Sequence, residues 1–144
     1  AYCSGAGIPH FFSWWIEREG LDVGAVEEGI GRPLGSLTAE DVIEACTRPG
    51  PLARFLDEVA RMNAAGLANV ANAFEPELIT VGGSVGLAHF DLLVGRAVEL
   101  ASPYAYNELP PVVPSPLGHD AVLYGALALA LDPPEALKAI RHGR

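Results

Sequence analysis

A short β-rich run that ends on two glycines and passes straight into a helix-periodic segment constrains this chain more than any other feature. Leu78-Ile79-Thr80-Val81 is rich in strand formers, Gly82-Gly83-Ser84 turns the chain, and Leu87, Phe90, Val94, Ala97 and Ala101 recur on one helical face. Pro111-Val112-Val113-Pro114 is a second brief strand, and its flanking prolines suit an outer position. Gly118-His119-Asp120 then leads into Ala121 to Leu131, a helix apolar all round, where Gly125, Ala126, Ala128 and Ala130 permit tight packing. Asp132-Pro133-Pro134 ends it, and a last short helix is expected before the polar tail. Strands separated by a helical crossover run parallel, with helices laid over the sheet. The expected class is α/β, helix-rich, with two short parallel strands.

The chain before Leu78 reads as helix and loop. After Ser4, a plausible cap, bulky residues between Ile8 and Ile16 fall at spacings of three and four, with Pro9 placed in the first turn. Phe11, Phe12, Trp14 and Trp15 are read as a helix face packed on a core rather than a sugar-stacking platform. Gly20, Gly24, Gly29, Gly31, Pro33 and Gly35 predict a mobile loop from Gly20 to Leu37. Thr38 caps a short helix that Arg48-Pro49-Gly50-Pro51 stops. Leu52, Phe55, Leu56, Val59, Met62, Leu67, Val70 and Phe74 then predict about six turns of one helix face. Gly66 inside that helix costs roughly 1 kcal/mol relative to alanine, and close approach of another backbone would explain it.

Half of the 144 residues are hydrophobic, enough to build one core, and the formal net charge is -9. Eighteen acidic against nine basic residues disfavour a partner that presents a phosphate backbone, so nucleic acid is not expected on this segment. Cys3 and Cys46 have no CxxC spacing, which offers neither a disulfide framework nor a zinc site and suits a reducing, cytoplasmic setting. The run Ala121 to Leu131 is shorter than a membrane span, and no secretory leader is evident. Because it begins at Ala1 without an initiator methionine, the chain is expected to be a fragment of a longer protein.

The chemistry is expected at Gly82, Gly83 and Ser84. A turn between a strand and a helix start offers free backbone N–H groups and the positive end of a helix dipole. Glycine there lets a ligand lie against the main chain, and a valine at Gly83 would exclude a nucleotide sterically. Gly82, Ser84 and Gly86 also spell G-x-S-x-G, so a serine esterase using Ser84 is an alternative, with Asp91, His119, Asp120, Asp132 and His142 as acid or base candidates. That fold needs several strands ahead of the elbow, and none is read here.

Several blocks, in order, resemble one family. They are Ala1-Tyr2-Cys3-Ser4-Gly5, Gly66-Leu67-Ala68-Asn69-Val70-Ala71-Asn72, Pro76-Glu77-Leu78-Ile79-Thr80-Val81-Gly82-Gly83, and Pro114-Ser115-Pro116-Leu117-Gly118 with Gly125-Ala126. Together they resemble the ROK (repressor, open reading frame, kinase) family, whose members include glucokinases, related hexose kinases and sugar-responsive repressors. The resemblance implies an actin-like ATPase fold of two ribonuclease-H-like lobes. Residues 1–144 would be one domain, the later part of the second, nucleotide-binding lobe. It places Gly82, Gly83 and Ser84 on the adenosine side of an ATP site and assigns this chain no catalytic residue and no metal ligand. The phosphate loops, the catalytic aspartate and a zinc motif of such proteins would lie upstream, so ATP, Mg²⁺ and any zinc belong to the complete protein, and Cys3 is not a zinc ligand. A hexose-like sugar substrate and a homodimer are further implications. A sugar-responsive transcriptional regulator of the same family is the alternative function.

Overall fold

The computed structural model describes residues 2–134 of the chain. Their order is α1 (Gly7–Arg18), α2 (Val23–Ile30), α3 (Ala39–Thr47), α4 (Ala53–Phe74), β1 (Ile79–Val81), α5 (Ser84–Ala88), α6 (Arg96–Leu100), β2 (Val112–Pro114) and α7 (Ala121–Leu131). β1 and β2 pair in parallel, Ile79 opposite Val112 and Val81 opposite Pro114, as the helical crossover between them requires. The last short helix and His142 lie outside the described residues.

Aromatic packing seals the helical part. The rings of Phe11, Phe12 and Trp15 on α1 lie 5.2, 5.0 and 5.5 Å from that of Phe55 on α4. Ile8, Ile16, Val42, Ile43 and Val59 close the cluster. The core reading of the aromatic stripe holds for Phe11, Phe12 and Trp15, whereas Trp14 is half exposed beneath the Arg18 guanidinium, 5.0 Å from its ring. Ser4 opens α1 from outside, its hydroxyl accepting from the Gly7 amide at 3.0 Å.

The stretch from Gly20 to Leu37 is not a plain loop. It holds α2, because the Asp22 carboxylate accepts from the Ala25 amide and Gly31 closes the helix in the left-handed region at φ 82°. A 3-10 turn, Leu34–Ser36, follows. The glycine count masked a complete pair of caps. Thr38 does open α3, in a capping box with Asp41. The Thr38 amide, then its hydroxyl, holds the Asp41 carboxyl down to about 2, with Arg32 assisting.

α4 runs 22 residues, as its periodicity predicts, and its chain reverses at Glu75, a non-glycine residue at φ 44°. Its buried face departs from the predicted one. Phe55, Leu56 and Val59 are buried, but the seam continues through Ala60, Ala64, Ala68 and Ala71 rather than Met62, Val70 and Phe74. Alanine allows close approach, and Ala64 packs with Ala97 and Ala101 beneath α6. The single helix expected after Ser84 is broken: α5 ends at Ala88 with His89 as its cap, and a π-helical turn, Asp91–Gly95, precedes α6. The wider turn shifts the register, so Leu93 is buried along with Val94, Ala97 and Ala101, while Leu87 and Phe90 are only partly so.

α7 departs furthest from expectation. Val122, Leu123, Tyr124, Leu127, Leu129 and Leu131 are all exposed, so its tight packing is not formed among the described residues. No helix among the described residues is long and apolar enough to cross a membrane.

Candidate functional site

Gly82 and Gly83 sit at the carboxyl end of β1, exposed, at the mouth of a cavity of about 450 Å³. α4 forms one wall with Met62, Asn63, Gly66, Leu67 and Val70, all on one face by their spacing of three and four. The opposite wall is Gly82, Gly83, Ser84, Val85 and Gly86, with Leu93 and Val94 from the π-helical turn and Cys3, Ser4 and Gly5 from the amino-terminal segment. A Cβ on Gly5 would stand 3.2 Å from Val85 Cγ2, so this segment packs on α5 as closely as a glycine allows.

Glycine is required at position 83 by the main chain itself. Its φ of 90° and ψ of 151° fall in a region that residues with a Cβ rarely enter, while no heavy atom lies within 4 Å of the Cβ position. A valine there would strain the backbone before it met any ligand, which complicates the expected steric test. Gly66 is the cleaner probe. A Cβ there meets nothing within 4 Å, so no neighbouring backbone explains this glycine; it leaves room in the cavity.

Among the described residues, no Asp, Glu, Lys or Arg lines the cavity. Its walls are apolar side chains, exposed main chain and a few neutral polar groups, which suits a flat, uncharged body more than a polyphosphate. Among the described residues no three His, Cys, Asp or Glu side chains could together hold a metal ion. Burial raises the Cys3 thiol, and pushes that of Cys46 up to about 12, so neither is poised as a thiolate. His89, five residues beyond Ser84, is engaged elsewhere: its Nε2 lies 2.6 Å from Glu40 Oε2, tying the end of α5 to α3. No hydrogen bond joins Ser84 to a histidine among the described residues, and no strand precedes β1 among residues 2–77.

Three predicted site residues, Gly82, Gly83 and Ser84, are thus together at one opening. Sequence reading missed Asn63, Cys3 and Leu93 on the same cavity. Met62 and Val70 were assigned to the core and line the cavity instead. The signal available was Gly66 itself, which marks the α4 face where space is kept.

The model of the ROK family matches residues 1–133. This chain belongs to the ROK family. A glucokinase of Pyrobaculum calidifontis is 30% identical over 146 residues, an alignment that takes in 100% of this chain and 44% of the relative. The ROK chain described here therefore spans less than half the length of that curated relative. No solved structure matches it.

Proposed function

We propose that this ROK chain supplies the adenosine-side wall of the ATP site of a sugar kinase with glucose-like specificity, as part of the second lobe of an actin-like ATPase fold. The observation that carries this is the exposed Gly82-Gly83 turn, closing a parallel strand at the mouth of an uncharged cavity. Ligands of α/β sheets gather at the carboxyl ends of strands, and a nucleoside needs apolar walls with main chain close by. The relative's name, glucokinase, favours a kinase over the sugar-responsive regulator that the family also includes.

In such an enzyme the residues here bind and orient the nucleoside and keep water from its base. Transfer itself needs a base, a metal ion and phosphate-binding main chain in line with the sugar hydroxyl. Those groups, with Mg²⁺ and any zinc, are assigned to the rest of the protein, as are the sugar pocket, a dimer interface and a cytoplasmic setting.

Replacing Gly66 with leucine tests the reading. Leucine is a strong helix former, so α4 should tolerate it, and its side chain would occupy the cavity. ATP affinity of the full-length protein, measured by calorimetry, should fall about tenfold or more, equivalent to roughly 1.4 kcal/mol. Unchanged affinity would remove the cavity from the nucleotide site.

A further inference from the structure

Asn63 is the one amide side chain among the described residues of the cavity wall, and of its two donors and two lone pairs only one donor is engaged. Its Nδ2 donates to the Leu93 carbonyl, in the π-helical turn, at 3.3 Å. That contact decides which way the amide faces, because a carbonyl oxygen only accepts and so must meet the nitrogen. Oδ1 then makes no hydrogen bond to any described residue. No buried side-chain oxygen or nitrogen among the described residues lacks a partner, so this oxygen is accessible rather than sealed. The amide nitrogen carries a second hydrogen as well, and one bond to Leu93 leaves it available. Asn63 therefore offers an acceptor and a donor side by side, held in orientation by the turn across from it.

A purine edge that carries a donor beside an acceptor matches this pair. Adenine presents its N6 amino hydrogen next to N7, and an asparagine amide meets both at once, with discrimination of about 1–3 kcal/mol against a wrong base. Hypoxanthine and guanine put a carbonyl oxygen at the same position, which would face Oδ1 acceptor to acceptor. Among the described residues the walls offer no countercharge that could relieve that clash.

We propose that Asn63 is the specificity-determining residue for the base, reading adenine by its N6 and N7 edge and rejecting 6-oxopurines. This rests on the cavity being the nucleoside site. The selectivity does not follow from the Gly82-Gly83 turn, whose main chain would accept any base by shape alone.

The test titrates the full-length protein with ATP, ITP and purine riboside triphosphate, the last lacking any group at C6, and repeats the series on Asn63→Leu. The wild type should bind ATP roughly ten times more tightly than purine riboside triphosphate, and ITP more weakly still. In N63L the three affinities should converge within about threefold, chiefly through loss of ATP binding. If N63L fails to fold, the same series on Asn63→Ala, which keeps a helix-favouring residue at that position of α4, takes its place with the same expected convergence. Equal binding of all three by the wild type overturns the role of Asn63 while leaving the nucleotide site intact. So does a preference for ATP that persists in N63L. Absence of binding for all three overturns the nucleotide reading itself, and this inference with it.

Discussion

Phe55 and Leu127 are large apolar side chains on helices of one chain, yet the first has no exposed surface and the second keeps 50% of its own. α4 presents a narrow apolar stripe, and Phe55, Leu56 and Val59 on it pack in one cluster with aromatic and branched side chains of α1 and α3. α7 is apolar on every side and meets no opposing layer among the described residues. Hydrophobic character marks a wish for burial, and only a complementary partner surface grants it.

That contrast is open to attack in three places. Phe55→Ala should cost about 3–5 kcal/mol, because it empties the point where three rings converge. Chemical denaturation reads this directly, and a loss under about 1 kcal/mol would mean the aromatic cluster is not what holds the helices. Asn72→Ala should cost about 1–2 kcal/mol. Its amide donates to the Tyr104 carbonyl at 3.1 Å and accepts from the Tyr106 amide at 2.9 Å, fastening the end of α4 to the loop ahead of β2. Faster amide exchange at Tyr106, with α1 unaffected, would place that effect in the strand half alone; equal acceleration in both halves would merge them into one cooperative unit. Val122→Ser should change stability by less than about 0.5 kcal/mol, since Val122 is 84% exposed. A cost above about 2 kcal/mol would show that α7 is covered after all.

Elements with their own caps or strong period were legible from residue order. α1, α3 and α4 follow from Ser4, Thr38 and the run of large residues beginning at Leu52, and the parallel strands follow from the crossover between them. α2 was hidden because five glycines outweighed Asp22 and Gly31, although two correctly placed caps define a helix better than composition dismisses one. The buried seam of α4 was misread past Val59 because periodicity marks large residues, whereas helices that approach closely bury alanines. At the site, the glycine turn was visible in the sequence. Asn63 was not, since its partner Leu93 lies 30 residues away and faces it only through the wider π turn. An amide on a helix carries no local mark of what it will bond to.

The parallel pairing of β1 with β2 makes the mouth of the cavity a product of distant parts of the chain. The two strands meet only after the chain from Gly82 to Pro111 has closed into a loop, and the rings of Phe11 and Phe55 meet across a longer stretch still. The glycine turn gains its neighbouring strand only when that loop closes. Whatever the cavity receives, the chain is fully shaped to receive it only once both closures have been made.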